Sequence, residues 1–361
     1  MAYGTPRAYG TRTQAYGTSR AYGTRTQAYG IPDPRAYGTP TPRRRPRRRG
    51  FLKTMATFLV LLTLLVVGGW FYLDFSLHRT AALADYPGRA GQGAGENWLI
   101  IGSDNRDGLT FAQQEQLAAA GNPTGAPDTA MIFHMPGDGA KPTLVSLLRN
   151  SYLDVPGHGM NTLAAAYGLG GTPLVVRTVE QATSLRIDHF ADVGFGGLID
   201  IVNDVGGVNL CLPAAIDDPL AGLNLGPGCQ LLNGAQALGY VRTESTPQAD
   251  LERVVHQRDF LTALLRRIAS PSVYFNPGNL FPLLVDAPSV VTIDNGDHLL
   301  DLIHLAFAMR DAPVGTTVPI MDTEDVPGVG NVVVWDQNKA ALLFSDLRTN
   351  TTVAANLISS Q

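Results

Sequence analysis

The chain has 361 residues, with 27 lysines and arginines against 31 aspartates and glutamates, and a formal net charge of −4. This near balance hides an uneven distribution of charge along the chain. Residues 1–50 hold eleven arginines and one acid, Asp33, whereas residues 74–361 hold fifteen basic and thirty acidic side chains. The acidic part argues against a nucleic-acid-binding domain, and no nucleic acid is expected as a partner. An anionic ligand would need a local arginine cluster, a metal ion, or both.

The N-terminal tail repeats the motif AYGT with small variations at a spacing of six to eight residues. Such repeats are too short and too polar to bury a core, so residues 1–50 are predicted to be a disordered basic cytoplasmic tail. The arginines of residues 43–49 are expected to set topology and to contact anionic lipid. For the tyrosines, a drifted repeat without function is favoured over modification sites.

The segment from Thr54 to Leu73 contains twenty residues without a charge. At about 1.5 Å per residue, a helix of this length spans roughly 30 Å, the thickness of the bilayer hydrocarbon. We predict a transmembrane helix at residues 51–73. The preceding arginines place the N-terminus in the cytoplasm and the main domain outside the cell membrane. A cleaved signal peptide is the alternative, but its apolar region would be shorter.

Beyond the membrane, residues 74–95 are rich in small side chains and are predicted to be a linker, followed by one domain at residues 96–361. Strand-like and helix-like runs alternate through this domain, which predicts an α/β/α sandwich with a central mixed sheet, preceded by the one transmembrane helix. Helix-like runs fall at residues 161–167, 173–184, 197–205, 233–240 and 251–269. The last is the clearest, because its apolar side chains recur with a period near 3.6. Strand-like runs fall at residues 98–101, 129–135, 143–148, 191–194, 208–212, 290–293 and 317–319.

Charged residues follow or precede several of these runs. The stretch NWLIIGSDNR (97–106) places Asp104 and Arg106 after the first strand, Asp128 precedes the second, and Arg149 follows the third. Ligands bind at the carboxyl ends of strands in α/β sheets. Carboxylates and arginines at such an edge predict a metal-assisted phosphate site.

The two cysteines, Cys211 and Cys229, lie eighteen positions apart on the extracytoplasmic side. They lack the close CxxC spacing of a zinc site, and in an oxidising compartment a pair is expected to be bonded. We therefore predict a disulfide, which would stabilise the fold by roughly 3 kcal/mol in the chain-entropy model.

Several short motifs follow one another through residues 96–270. In chain order they are GSDNR (102–106), DT (128–129), VSLLR (145–149), Asn161 with AAY (165–167) and GG (170–171), IDH (187–189), GGV (206–208), LNGAQALGYVR (232–242) and DLERVVHQR (250–258). In this order and spacing the chain resembles the LytR-CpsA-Psr family. The cysteine loop and the HQR form of the last motif are similar to the actinobacterial branch.

The resemblance implies a membrane-anchored phosphotransferase outside the cell. Such an enzyme moves a glycopolymer phosphate from a polyprenyl-pyrophosphate carrier to a sugar hydroxyl of peptidoglycan, using Mg²⁺ or Mn²⁺, and pyrophosphatase activity is a possible side reaction. For an actinobacterial member, an arabinogalactan-type polymer is expected.

The resemblance also implies roles for individual residues. Asp104 and Asp128 match the family's metal-binding carboxylates and, with Arg149, form the expected catalytic group. The residues expected to bind pyrophosphate are Arg106, Arg149, Arg242, Arg253 and Gln257. Arginine suits this role because its guanidinium binds phosphate oxygens bidentately.

Three positions depart from the family pattern. Ala126, Asn150 and Glu244 stand where the family commonly has arginine, aspartate and arginine. Anion binding should therefore be weaker, unless Arg106 and Arg258 compensate. The alternative function is a degenerate, non-catalytic protein that binds polyprenyl-linked glycan or regulates the envelope.

The carrier's lipid tail needs an apolar pocket, for which residues 163–167, 173–176 and 195–202 are the expected lining, with ordinary core as the alternative. His189 is expected to be a hydrogen-bonded core residue rather than a ligand. Asn161 is expected to have a structural role, and His256 no catalytic one.

Overall fold

The computed structural model describes residues 17, 23, 48–103, 127–219, 221–243, 249–311 and 313–358. The positions predicted above at Asp104, Arg106, Ala126 and Glu244 therefore lie outside the described residues, as does most of the tail. The chain divides into two compact units, residues 1–59 and 60–361. The described part of the first unit is mainly the beginning of one long helix.

The helices of the described residues are α1 Arg48–Ser76, α2 Leu163–Thr183, α3 Phe195–Asp204, α4 Gly234–Arg242, α5 Ala249–Ile268, α6 Pro271–Tyr274, α7 Pro277–Val290, α8 Leu299–Ala308 and α9 Gln337–Arg348. The strands are β1 His78–Thr80, β2 Gly95–Ser103, β3 Pro127–Pro136, β4 Thr143–Leu147, β5 Tyr152–Val155, β6 Gly159–Thr162, β7 His189–Gly194, β8 Val208–Leu212, β9 Ile216–Asp218, β10 Leu223–Leu225, β11 Gly228–Leu232, β12 Val291–Asp294, β13 Val314–Thr317, β14 Ile320–Val326 and β15 Gly330–Trp335.

Seven strands form the central sheet, in the order β1-β12-β7-β2-β3-β4-β13. The sheet is mixed: β2 runs parallel to β7 but antiparallel to β3, and β3 is antiparallel to β4. The carboxyl ends of β2, β4 and β7 therefore meet the beginning of β3 at one edge. This arrangement confirms the predicted mixed sheet, and it brings the ends of the predicted site strands together.

Helices cover both faces of the sheet. Leu99 and Ile101 of β2 pack in the core cluster beneath α2 and α9, and this cluster includes Trp335 and Phe344. The alternate β2 residue, Ile100, belongs to the cluster beneath α5 and α8. Alternating side chains point to opposite faces of a strand, so a strand that is buried on both faces reads as a continuous apolar run. The layers are α/β/α, as predicted.

Residues 74–95 do not form the separate linker that their small side chains predicted. Strand β1 pairs in parallel with β12 in the central sheet, and Ala82 is buried in the main core. Arg89 donates hydrogen bonds to the buried carboxylate of Glu180 on α2. The segment is thus built into the domain through partners far away in the sequence.

Helix α2 joins two helices that the sequence predicted separately, at residues 161–167 and 173–184. Gly170 and Gly171 depart from helical backbone angles inside it, and Gly171 has a positive φ of 66°. Pro173 follows this kink at a point where its missing N–H is tolerated. The helix begins at an N-cap, Thr162, whose side chain accepts a hydrogen bond from the Ala165 N–H.

Two further predictions have clear outcomes. The predicted strand at residues 317–319 lies earlier, as β13, and pairs with β4. Cys211 of β8 and Cys229 of β11 face each other in register and form a disulfide in the structure.

Helix α1 is, within the part of the chain that the structure describes, the one helix long and apolar enough to cross a membrane. The span runs from Gly50 to Ser76, and its most apolar stretch of 18 residues is not buried inside the protein, although Asp74 near its end is. Its length and exposure fit a single-pass membrane anchor. Its cytoplasmic-to-outside orientation stays a prediction from the flanking charges.

Candidate active site

An apolar cavity of about 290 Å³ lies between the central sheet and helices α3, α5, α7 and α8. Its walls include Ile100 and Met131 from the sheet and Phe260 from α5, with Leu73 and Leu77 from the end of α1 and the segment after it. Among the described residues, the polar side chains in this lining are Thr129 and Gln257. The cavity therefore suits a hydrocarbon chain with a polar group at one place along its wall.

Four of the motifs singled out in the sequence reach this cavity. Gly102 of the GSDNR motif pairs in register with Thr129 of the DT motif, and both line the wall. Val241, which precedes Arg242, and Gln257 of the HQR motif line it as well. Motifs that are distant in the sequence thus meet at one apolar cavity, although Asp104 and Arg106 lie outside the described residues.

Asp128 and Arg149 are brought together directly at the sheet edge. The Arg149 Nη1 atom donates to Asp128 Oδ1 at 2.5 Å, and both side chains remain accessible to solvent. An accessible ion pair of this kind contributes only about 0–1 kcal/mol to stability. The Asp128 Oδ2 atom has no hydrogen-bond partner among the described residues. The pair is therefore a weak stabiliser that leaves oxygen and guanidinium atoms available to a ligand.

Gln257 and Arg253 lie one turn apart on α5, and both are buried. The Gln257 Nε2 atom donates to the Val241 backbone oxygen at 3.1 Å, which ties α5 to the end of α4 beside Arg242. The Gln257 Oε1 atom is buried without a hydrogen-bond partner among the described residues. Because an unsatisfied buried acceptor is costly, this oxygen is a natural acceptor for a group carried by a ligand.

Other side chains of the last motif face elsewhere. Arg258 is buried on α5 and lines a second pocket with Asp259, Arg266 and Gly315, a set that does not contribute to the apolar cavity. Its nearest described ion-pair partner is Asp259, at 3.7 Å. Arg258 therefore does not supply to the cavity the positive charge that the family commonly has at positions 126 and 244. The ring of His256 packs against Tyr240 with centroids 4.5 Å apart, which is a structural contact.

The expected lining of the lipid pocket is only partly correct. Leu198 and Ile201, from the predicted range 195–202, do line the cavity. The segments 163–167 and 173–176 instead contribute buried side chains to the core on the other face of the sheet. Both kinds of segment are apolar, and only the topology decides which face each helix covers.

His189 is a hydrogen-bonded structural residue, as expected. Its Nδ1 atom lies 2.6 Å from Asp297 Oδ1, and the ring stacks on Trp98 with centroids 4.5 Å apart. Asp297 also accepts from the Phe190 N–H through its other oxygen. Burial alone would lower the pKa of His189, but the hydrogen bond and charge of Asp297 raise it overall. The Asn161 side chain likewise accepts a local bond, from the Thr162 N–H.

Sequence reasoning missed one ionisable residue near the site. Asp192 of β7 lies opposite Ile101, beside the end of β2, and its Oδ1 atom is buried without a partner among the described residues. Burial raises the pKa of Asp192 to about 6, and interactions with Ser103 offset only part of that rise. The signal in the sequence was a lone acid inside a strand-like run.

A family model described as LytR_cpsA_psr matches residues 86–322. The chain belongs to the LytR-CpsA-Psr family. It is 45% identical over 301 residues to a probable cell wall biosynthesis protein, LcpB, of Corynebacterium glutamicum, an alignment that covers 83% of this chain and 72% of the relative. The match begins at residue 86, which agrees with the inclusion of Tyr86 and Arg89 in the domain.

Two further comparisons bear on fold and activity class. The chain is 32% identical over 148 residues to a polyisoprenyl-teichoic acid–peptidoglycan teichoic acid transferase, TagU, of Enterococcus faecalis, covering 40% of this chain and 48% of the relative. A LytR-Csp2A-Psr enzyme from Actinomyces oris superposes with a TM-score of 0.57 at 20% identity, covering 75% of this chain and 97% of that structure. At 20% identity the second likeness shows the fold alone, and this fold is the predicted one.

Proposed function

We propose that this protein is a membrane-anchored phosphotransferase that moves a glycopolymer phosphate from a polyprenyl-pyrophosphate carrier to a sugar hydroxyl of peptidoglycan. The observation that carries the proposal is the convergence of four sequence motifs on one apolar cavity whose polar wall is formed by Thr129 and Gln257. A polyprenyl chain requires an apolar space, and its pyrophosphate requires nearby cationic and hydrogen-bonding groups. The two requirements meet at this edge of the sheet.

The arginines supply the anion-binding part. Arg149 lies exposed at the sheet edge, Arg242 ends α4, and Arg253 is buried on α5. Phosphoryl transfer depends mainly on positioning and on stabilising charge, both of which guanidinium groups provide. In the reaction, the acceptor hydroxyl oxygen bonds to the glycan-bearing phosphorus, and the bond from that phosphorus to the bridging oxygen breaks. Polyprenyl phosphate leaves with the bridging oxygen, and the hydroxyl proton passes to the carboxylate of Asp128 or Asp104.

A divalent cation, Mg²⁺ or Mn²⁺, is part of the proposal. Its donors would be Asp128 and Asp104, and the carboxylate chemistry fits because Asp128 keeps one oxygen without a partner among the described residues. When bound, the cation would neutralise charge on the pyrophosphate and act as a Lewis acid. Arg149, already beside Asp128, orients that carboxylate and contributes its own positive charge. An arabinogalactan-type polymer and a pyrophosphatase side reaction are proposed on the actinobacterial resemblance alone.

The test is the Arg149→Ala variant of the full chain, assayed in detergent with a polyprenyl-pyrophosphate glycan. Loss of an arginine–phosphate contact in the transition state is expected to lower transfer or pyrophosphate hydrolysis by roughly 100-fold or more. The matched control is Arg348→Ala, which changes an exposed arginine at the end of α9. The Arg348 backbone oxygen accepts a hydrogen bond from the Ala94 N–H, next to the first residue of β2, so this arginine lies at the end of β2 away from the site. Both variants should unfold at the same temperature as the wild type. Unchanged activity in Arg149→Ala would contradict the assignment.

The alternative is a non-catalytic protein that binds polyprenyl-linked glycan. The family positions occupied by Ala126, Asn150 and Glu244 favour it, because together they remove two positive charges and one negative charge of the family pattern and add one negative charge. A full chain that binds polyprenyl phosphate, but shows no turnover with either Mg²⁺ or Mn²⁺, would establish this function instead.

A further inference from the structure

Helix α8 is apolar on nearly every side. Its sequence is LLDLIHLAFA, and Leu302, Leu305 and Ala306 point inward to line the apolar cavity. On its other side, Leu300 is 61% exposed and Phe307 is 47% exposed. Ile303, at 37%, lies between this side and the cavity, which it also lines. Positions spaced by three and four residues share one face of a helix, so these three side chains form an apolar stripe. We call Leu300, Ile303 and Phe307 the outer face of α8.

Of the two polar side chains of α8, Asp301 lies away from this face, whereas His304, with its side chain 66% exposed, borders it. Asp301 lies toward His189 and Asp297, with the three side chains' ligand atoms within 4.8 Å of one another. His304 is directed toward Glu96, at 3.8 Å. The outer face is consequently mainly apolar and exposed, with His304 at its border, whereas a helix on a water-facing surface normally places mostly polar residues there.

The beginning of α8 is fastened to the end of the anchor helix. Asp74, near the end of α1, accepts a hydrogen bond from the Leu299 N–H at 2.8 Å and lies 3.0 Å from the His298 ring nitrogen. Leu73 and Leu77 line the same cavity as the inner side of α8. The start of α8 therefore lies beside the point at which the apolar run of α1 ends.

Two exposed aromatic side chains lie close to Asp74 in the sequence of α1. Tyr72 and Phe75, on either side of Asp74, are 74% and 77% exposed. Aromatic side chains are favoured at the membrane–water interface. Burying a single large apolar side chain contributes about 1.5–3 kcal/mol, so several of them together favour a nearby lipid phase over water.

We propose that the outer face of α8 lies in the outer lipid leaflet, so that the wall of the cavity is bounded by lipid and a carrier tail passes from the bilayer into the cavity without crossing water. The inference rests on the proposed function for the membrane anchoring by α1 and for the carrier whose tail enters the cavity. A lipid surface fits this face better than a soluble partner, because the face adjoins the helix that itself fits a membrane span. Helices of this kind lie in the interface with their apolar side buried among acyl chains.

Fluorescence quenching of the full chain in phospholipid vesicles tests the proposal. An environment-sensitive fluorophore is attached at Leu300→Cys or Phe307→Cys. Both native cysteines are joined to each other, so they do not compete for the label. The matched control is Leu342→Cys, a 58% exposed leucine on α9, on the other side of the sheet. Quenchers are a nitroxide carried on lipid acyl chains and iodide in the water.

Labels at positions 300 and 307 are expected to be quenched severalfold more by the lipid nitroxide than by iodide, and the label at 342 the reverse. Iodide quenching at 300 and 307 equal to that at 342 would overturn the proposal. Protection from both quenchers would overturn it too, because a second copy or another protein would then cover the face. The readout does not depend on turnover, so it stands or falls separately from the Arg149→Ala test.

Discussion

Asp192 carries the clearest electrostatic cost among single side chains near the site. It stands on β7 between apolar neighbours, one strand from Ile101, and burial raises its pKa to about 6. A carboxyl group whose pKa is higher in the folded protein than in the unfolded chain stabilises the fold only while it is protonated. Its contribution is thus complete below about pH 3.8 and is lost as the pH rises through about 6.

Asp192→Asn removes that cost. At pH 7.5 the variant should be more stable than the wild type by roughly 3 kcal/mol, since the pKa rises from 3.8 to about 6 and each pKa unit corresponds to about 1.4 kcal/mol. At pH 4 the two proteins should differ by less than about 1 kcal/mol. Urea unfolding of the full chain in detergent at the two pH values measures the difference, with Asp325→Asn, an exposed aspartate on β14, as the control. A stability gain that is the same at both pH values would contradict the explanation.

At the scale of elements, the placement of Arg242 depends on the close packing of α3 against α4. Gly234 begins α4, and a Cβ atom there would lie 2.4 Å from the Ile199 backbone oxygen of α3. The obstacle is backbone rather than a flexible side chain, so one of the two helices would have to move. Since α4 carries Val241 to the cavity wall and ends at Arg242, such a shift would also disturb the site.

Gly234→Ala is expected to destabilise the protein by about 1–3 kcal/mol, the usual cost of overpacking. The matched control is Gly168→Ala in α2, where an added Cβ meets no atom within 4 Å. Because alanine favours a helix over glycine, the control should be neutral or stabilised by up to about 1 kcal/mol. Thermal unfolding of both variants measures the effect. Equal melting temperatures would show that α3 and α4 tolerate the extra methyl group.

Some elements were readable from the sequence because their local signal agrees with their environment. Helix α5 has an apolar period near 3.6, and β2, β3 and β4 read as apolar runs because they are buried on both faces. Helix α8 was not predicted, since eight of its ten residues are apolar and its two polar residues do not mark one clear polar side. The kink in α2 was read as a break between helices, because GG followed by a proline is the usual sign of a helix end.

At the scale of the whole molecule, a buried carboxylate joins the beginning of the domain to its core. Glu180 of α2 is 2% exposed. It accepts bonds from the Arg89 guanidinium, the Tyr86 hydroxyl at 2.8 Å and the Ile187 N–H at 2.8 Å. Burial and the hydrogen bond to Glu180 raise the pKa of Tyr86 to about 12. The cluster fixes residues 83–89 on the side of the central sheet that α2 covers.

Glu180→Gln keeps the shape of the side chain but leaves the Arg89 charge without its counter-ion. Breaking a buried ion pair from one side costs about 3–5 kcal/mol, so a large loss of stability is expected. The exposed Glu324→Gln on β14 is the matched control. Replacing both partners, Arg89→Met with Glu180→Met, should recover much of the loss, because no unpaired charge then remains. Denaturant unfolding distinguishes the three variants. A double variant with a lower free energy of unfolding than Glu180→Gln would argue against the ion-pair explanation.

The sequence predicted the α/β/α sandwich, the sheet-edge position of Asp128 and Arg149, and the pairing of Cys211 with Cys229. These features were predictable because the ends of apolar runs and the order of motifs can be read directly along the chain. It did not predict the role of residues 74–95, since Glu180 lies 91 positions beyond Arg89 and only folding brings them together. It also did not predict which apolar segments line the cavity, because the burial of a leucine is the same on either face of the sheet.

The hydrogen bonds that Asp74 accepts from the start of α8 have a practical consequence for how this protein can be handled. A soluble fragment cut at residue 96, where composition alone places the start of the domain, would lose β1, the Arg89 side chain and the two leucines that close part of the cavity wall. Such a fragment would show an open groove and reduced stability, and its activity would understate that of the intact protein. The end of the anchor helix is in this sense the first element of the wall of the apolar cavity. Assays of ligand binding to that cavity should therefore use the full chain in detergent or lipid.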